Sequence, residues 1–199
     1  LRPMPVPSAR GPILDRNGEV IAGNEPGYSL SIVPGPRDSV RAVLYRLAPV
    51  LGISEDRVQW LARRRDEDPN LPLVVTGDLN FDQLSAIQER SYAFPQVLID
   101  MRPRRNYPNG SAVAHLVGYV SEISKNELTK PEFSKYVRGQ IIGKAGLERQ
   151  YEDVVGGRPG VDYVEVDAAG KIVNSYLPHT NVPPVTGSEL KLYLDLELQ

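Results

Sequence analysis

Residues Arg10–Asn24, RGPILDRNGEVIAGN, decide how this chain is read. Asn17-Gly18 sits between two apolar pairs, Ile13-Leu14 and Val20-Ile21. That dipeptide is a strong two-residue hairpin signal, because both central positions of a type I′ turn need positive φ. The stretch predicts a β-hairpin with Arg10, Asp15 and Arg16 as charges around it. The far end carries the clearest periodicity, Gly187–Gln199, GSELKLYLDLELQ. Leu190, Leu192, Leu194, Leu196 and Leu198 alternate there with polar residues, as a half-buried strand requires.

Between these ends the pattern is mixed. Tyr28–Val33 alternates and stops at Pro34-Gly35-Pro36. A helix follows over about residues 38–48, with Val40, Val43, Leu44 and Leu47 on one face, disturbed by Pro49 and capped by Gly52. Ser54 caps a second helix, with Glu55 and Asp56 in its first turn and Arg63–Arg65 in its last, which suits the helix dipole. Asp66, Glu67 and Asp68 cancel the field of that triple arginine. Residues 71–76 read as a strand. Asn80 and Gln83 form a capping box for a third helix running to about Tyr92. Residues 96–101 read as another strand, and Arg102, Arg104 and Arg105 around Pro103 as a solvated extended segment. Ser124 with Glu127 makes a second capping box. Leu147, Tyr151 and Val154 share one helix face ended by Gly156-Gly157. Residues 163–167 and 171–175 form a hairpin around Ala168-Ala169-Gly170.

The 199 residues suffice for a real core, and 18 prolines with 17 glycines favour short elements and frequent turns. A net charge of −2 gives no reason to expect nucleic acid or an anionic membrane as partner. With no cysteine, disulfides and thiolate metal sites are excluded. No apolar run approaches the roughly 18 residues needed to span a bilayer.

Chemistry-bearing motifs are few. One Ser-x-x-Lys occurs, Ser188 and Lys191. On a helix, residues three apart share a face and the lysine takes the serine's proton. On the strand predicted here they point to opposite faces, about 10 Å apart along the chain. There is no Lys-Thr-Gly. Gly139–Lys144 is one residue short of a phosphate loop, and Ala145 replaces the Ser or Thr that would meet magnesium. Asp15–Gly18 opens like a calcium loop but places its glycine too early. His115 and His179, the two histidines, lack partners at zinc spacing, and His115 reads as a structural histidine bonded to backbone. A buried pair of Arg10 or Arg16 with Asp15, Glu148 or Glu152 would lock strands in register.

Four blocks carry a resemblance. Arg10–Asn24 with Tyr107–Val120 (YPNGSAVAHLVGYV), Gly143–Gly160 (GKAGLERQYEDVVGGRPG) and Gly187–Gln199 are similar, in that order, to class B penicillin-binding proteins, most of all to the elongation-type branch, penicillin-binding protein 2. No recognisable motif covers about residues 36–105. The positions that match are Arg10, Gly11, Asp15, Arg16, Asn17, Gly18, Tyr107, Pro108, Gly110, His115, Gly118, Tyr119, Gly143, Gly146, Glu148, Tyr151, Gly160, Asp195 and Gln199. None is expected to be catalytic.

The resemblance implies an α+β fold, an elongated two-lobed pedestal. Residues 1–34 and 137–199 would form a β-rich membrane-proximal anchor lobe, and 35–136 a distal head of helices and short strands, with hinges near residues 34–36 and 106–110. It implies a non-catalytic support for a peptidoglycan transpeptidase on the periplasmic side of the membrane. Leu1 is not a natural start, so a single transmembrane helix is expected to precede it in the full-length protein. No cofactor or metal is implied. The implied partners are a SEDS-family glycosyltransferase of the RodA type and the scaffold protein MreC. A peptidoglycan-binding module gripping nascent glycan is the alternative, and a stand-alone enzyme a third.

Overall fold

The structure, a computed structural model, describes residues 2–69, 71–94, 96–166, 172–175 and 181–196. It is an α+β protein that divides into two compact units. One comprises Pro26–Arg102 with Leu1–Arg2 and Tyr163–Pro178, the other Pro3–Glu25, Pro103–Asp162 and His179–Gln199. These bounds differ from the expected partition. Residues 103–136 group with Pro3–Glu25 in the second unit, because the short helix Ala114–Val117 and the strand Val120–Glu122 pack on residues 141–150.

The first unit is a helical layer on a small sheet. Strands β1 (Arg2–Val6) and β2 (Ile13–Leu14) lie, but for Arg2, in the second unit, and β3 (Val20–Ile32) enters the first at Pro26. Helices α1 (Arg37–Leu51) and α2 (Glu55–Glu67) follow, then β4 (Leu73–Leu79) and α3 (Phe81–Glu89). In α1, Val40, Val43, Leu44, Leu47 and Leu51 are buried, the single stripe that helical spacing demands. Leu44 and Leu47 are fully buried, each stabilising the unit by about 2 kcal/mol. Pro49 lies inside the last turn, and Gly52, at φ 66°, sends its N–H to the Ala48 carbonyl to close the helix. The Ser54 side chain caps α2, and both halves of the Asn80–Gln83 box are made. Gln83 Nε2 also donates to the Leu51 carbonyl at 3.0 Å, tying α3 to the end of α1. β4 pairs antiparallel with β3, from Tyr28↔Leu79 to Ile32↔Leu73. It starts two residues later than expected because Leu71 N–H still bonds the Asp68 carbonyl in the turn after α2.

In the second unit, strand β5 (Val97–Asn106) supplies its last residues. Then come α4 (Ala114–Val117), β6 (Val120–Glu122), α5 (Lys125–Leu128), β7 (Ile141–Gly143), α6 (Gly146–Gln150), α7 (Glu152–Val155), the start of β8 (Gly160–Val166) and β10 (Leu190–Lys191), while β9 (Ile172–Ser175) and the rest of β8 belong to the first unit. Ile13, Ile21, Ala22, Val113, Val117 and Val155 form its core, with Leu190, Leu192, Leu194 and Leu196 packed against them. β10 lies parallel to β2, Leu190↔Ile13 and Lys191↔Leu14. Beyond β10 the ladder continues through Leu192 N–H to the Leu14 carbonyl and Arg16 N–H to the Leu194 carbonyl. The alternation therefore holds through Leu194. It fails at Asp195, whose side chain is nearly buried because it pairs with Arg16. Residues 197–199, including Leu198 and Gln199, lie outside the described residues, as does His179. β8 and β9 form the expected antiparallel hairpin, and its turn at residues 168–170 also lies outside the described residues.

Two expectations are corrected here. The Arg10–Asn24 hairpin forms, Ile13↔Ala22 and Leu14↔Val20 with a register shift, but not with a type I′ turn. Only Gly18 has positive φ, at 94°. The Asp15 carboxylate accepts from the backbone N–H groups of Asn17 (2.7 Å) and Glu19 (2.8 Å), which holds a three-residue turn, Arg16–Gly18, followed by a one-residue bulge. Second, Tyr151 and Val154 are exposed, not on a buried face. The helix breaks at Tyr151, and the inward residues are Glu148 and Val155.

Candidate functional site

The second unit buries charge at its centre. Arg10, just before β2, has its side chain 6% exposed, and Glu148 of α6 is fully enclosed. Arg10 Nε and Nη2 donate to Glu148 Oε2 at 3.0 and 2.7 Å, and Nη2 also donates to Glu152 Oε2 at 2.9 Å. From the end of β5, Arg105 Nε donates to Glu148 Oε1 at 2.7 Å, and Nη1 to the Gly11 carbonyl at 2.9 Å. Tyr107 OH donates to Glu148 Oε1 at 3.4 Å, and Tyr136 OH to Glu152 Oε1 at 3.0 Å. The Gly143 N–H completes Glu152 at 2.8 Å. Two guanidiniums thus face two carboxylates, and most of their polar atoms are satisfied, as buried charge requires.

The electrostatics follow from that balance. Burial alone would lower the Arg10 pKa, but the hydrogen bond it donates to Glu152 and the charges of Glu148 and Glu152 hold it above the ordinary arginine value. Burial, reinforced by the Glu148 charge, pushes Tyr107 up to about 12. Tyr136 is pushed up by burial and by Glu152. Both tyrosines therefore stay protonated and serve as donors.

A second lattice fixes the hairpin tip. Asp15 is fully buried. Burial pushes its carboxyl upward, but backbone N–H groups of Glu19, Leu196, Asn17 and Gly18 outweigh that and hold it below the usual range. Arg16 pairs with Asp195 at 2.6 Å, not with Asp15, and Asn17 Nδ2 also reaches Asp195.

Several of the matching glycines mark places where backbones touch. A Cβ on Gly118 (φ 78°) would lie 2.0 Å from the Ala145 carbonyl oxygen. One on Gly143 would lie 2.1 Å from that of Glu148, one on Gly11 1.8 Å from that of Ser188, and one on Gly160 2.3 Å from that of Val182. Gly146 meets the Leu116–Gly118 backbone in the same way. α4 and α6 pack at a separation that only hydrogen at these positions allows.

Of the matching positions, Arg10, Gly11, Tyr107, Gly143 and Glu148 meet in one lattice, and Asp15, Arg16, Asn17, Gly18 and Asp195 in the other. Pro108, Gly110, Tyr119 and Tyr151 are exposed. His115 is also exposed, on α4, which corrects the expectation of a structural histidine bonded to backbone. Arg105 corrects the solvated reading of residues 102–105. Its side chain is 3% exposed, while Arg104 pairs with Glu25 at the surface. Nothing in the sequence separates the two arginines; the deciding partner, Glu148, is 43 residues away.

The lattices hold charges in place. Ser188 is exposed with its N–H on the Val154 carbonyl, and Lys191 is exposed in β10. Among the described residues no group of three or more His, Asp or Glu side chains could hold a metal ion, and no helix is long and apolar enough to cross a membrane.

Comparison with known proteins agrees with this picture. The family model described as the penicillin-binding protein dimerisation domain matches residues 5–192. The peptidoglycan D,D-transpeptidase MrdA of Acinetobacter baumannii is 33% identical over 200 residues, covering 100% of this chain and 29% of that protein. MrdA of Escherichia coli K12 is 33% identical over 201 residues, covering 98% of this chain and 31% of that protein. The chain thus spans about a third of the length of these relatives. In solved structures, penicillin-binding protein 2 from its Helicobacter pylori complex with MreC shares the fold at TM-score 0.70 and 23% identity, over 99% of this chain and 36% of that one. Penicillin-binding protein 2B of Streptococcus pneumoniae does so at TM-score 0.75 and 19% identity, over 100% and 42%. The match of that family model across residues 5–192 leads to one conclusion: this chain belongs to the penicillin-binding protein dimerisation-domain family.

Proposed function

We propose that this chain is the non-catalytic pedestal of a peptidoglycan D,D-transpeptidase, holding the catalytic domain above the membrane and docking cell-wall elongation partners. The observation that carries the reading is the placement of Ser188 and Lys191. Lys191 lies in β10, paired with Leu14 of β2, and Ser188, two residues before that strand begins, has its N–H on the Val154 carbonyl. A serine–lysine couple needs one helical turn, and this one has none. The identity with MrdA proteins supports a peptidoglycan context on the periplasmic side of the membrane, with the anchor in the full-length protein.

An MreC-type scaffold is the favoured partner, because the fold matches that of a penicillin-binding protein 2 recorded in complex with MreC. A RodA-type glycosyltransferase is a second partner of the same assembly. A partner acts on such a support only through its differential affinity for the support's conformations.

The test of the non-catalytic half is direct. The purified chain is incubated with a fluorescent β-lactam and its intact mass measured. The mass stays unchanged. An acyl adduct on Ser188 would overturn the reading.

A further inference from the structure

The dipeptide Asn-Gly occurs twice, at Asn17-Gly18 and Asn109-Gly110. It is the pair most prone to spontaneous loss of side-chain ammonia, because glycine has no Cβ to hinder its own nitrogen. The reaction needs no enzyme. Hydroxide takes the glycine amide proton, and the nitrogen attacks the Asn Cγ. The bond from Cγ to Nδ2 then breaks, and ammonia leaves with a proton from water, which restores the hydroxide. Water opens the cyclic imide at either carbonyl. One product is aspartate. The other is isoaspartate, whose backbone runs through the side chain and is one methylene longer.

Both dipeptides lie in exposed turns, so exposure does not separate them. What separates them is how each turn is held. At the first, the fully buried Asp15 carboxylate accepts from the N–H groups of Asn17 and Glu19, and Gly18 N–H donates to the Asp15 carbonyl at 3.3 Å. Asn17 Nδ2, the atom that must leave, donates to Asp195 Oδ1 at 3.4 Å. Turning Cγ onto the Gly18 nitrogen works against both carboxylates. Asp15 is also held ionised, and a fixed negative charge opposes the amide anion that makes the attack.

At the second, Gly110 N–H donates to the Tyr107 carbonyl at 3.0 Å and Ala112 N–H to the Asn109 carbonyl at 3.2 Å. Pro108, Asn109, Gly110 and Ala112 are all exposed, so opening this turn hands two backbone bonds to water. From Tyr107 to Ser121 the chain contains no Asp, Glu, Lys or Arg, and no charge of that stretch opposes the anion.

We propose that Asn109 is a site of covalent self-modification: it deamidates through the Gly110 nitrogen, while the folded hairpin protects Asn17. The conversion brings a carboxylate, and in the isoaspartate form a longer backbone, to a stretch that begins at Tyr107, the donor to Glu148. The inference does not depend on the pedestal reading.

The purified chain is aged in mildly alkaline buffer, with and without urea, and sampled over days. Peptide mapping by tandem mass spectrometry locates each event by its gain of about 1 Da. Labelling with an isoaspartyl methyltransferase counts the isoaspartate. In the folded chain Asn109 converts at least about fivefold faster than Asn17, the difference between a turn open to solvent and one held by carboxylates. In urea the two rates come within about twofold, because only the fold distinguished them. Asn109→Gln, shown folded by a thermal melt, loses most of the methyl label of the folded chain, since the longer side chain closes its ring far more slowly. Four results would each overturn the proposal: equal or faster conversion of Asn17 in the folded chain, no conversion of Asn109 where urea converts both, a ratio that persists in urea, or undiminished label in Asn109→Gln.

Discussion

Glu148 accepts from two arginines inside a unit too small to hide an unpaired charge. A buried pair adds little net stability, but removing one partner leaves the other uncompensated at a cost of about 3–5 kcal/mol. Glu148→Gln leaves Arg105 without a carboxylate and Arg10 with Glu152 alone. Its Tm falls by about 10 °C in a thermal melt, while Arg16→Ala, at the exposed rim beside Asp195, lowers it by only about 2–4 °C. Equal shifts would contradict the lattice.

Glu127 titrates instead. Its hydrogen bonds from Lys144 and then Ser124 pull it down to about 2 from the ordinary 4.5. A carboxylate depressed on folding contributes stability above its unfolded pKa and loses it as pH falls through the folded one. The Tm gap between the unaltered chain and Glu127→Gln is therefore full above about pH 4.5 and closes towards pH 2. A gap independent of pH would refute this. Arg10 was legible as a buried pairing candidate because a buried arginine–carboxylate pair beside the hairpin would lock its strands in register. Arg105 was not, since two adjacent arginines in an extended segment look alike until a distant helix selects one.

At the scale of elements, what local chemistry encodes was readable. Ser54, Asn80 and Ser124 cap their helices because a short side-chain oxygen satisfies an N–H that the helix leaves free. The apolar stripe of α1 follows from spacing alone. The turn at Asp15–Gly18 and the break at Tyr151 were not readable. Both obey carboxylates, Asp15 on backbone N–H groups and Glu148 on distant arginines, which override propensity. The glycine contacts give a test at this scale. Gly52→Ala meets open space and costs about 1 kcal/mol for its left-handed backbone. Gly118→Ala adds a collision with the Ala145 carbonyl. Its loss in denaturant unfolding is at least twice that of Gly52→Ala; similar losses would mean that α4 and α6 do not need the close approach.

For the whole molecule, the four motif blocks were informative because they carry the backbone contacts and charges on which the second unit is built. Residues 36–105 had no such signal. Their helical unit is held by apolar side chains that many sequences supply equally well. The bounds of the units were likewise hidden, because grouping 103–136 with 3–25 depends on contacts far apart in sequence. Partner choice is a property of surfaces, and only docking experiments read it. The most direct is a calorimetric titration of this chain with the extracytoplasmic domain of its own organism's MreC-type scaffold. A support that docks elongation partners gives saturable one-to-one binding, with a Kd of about 10 μM or tighter. No heat of binding at about tenfold higher concentration, with the chain folded, would contradict it.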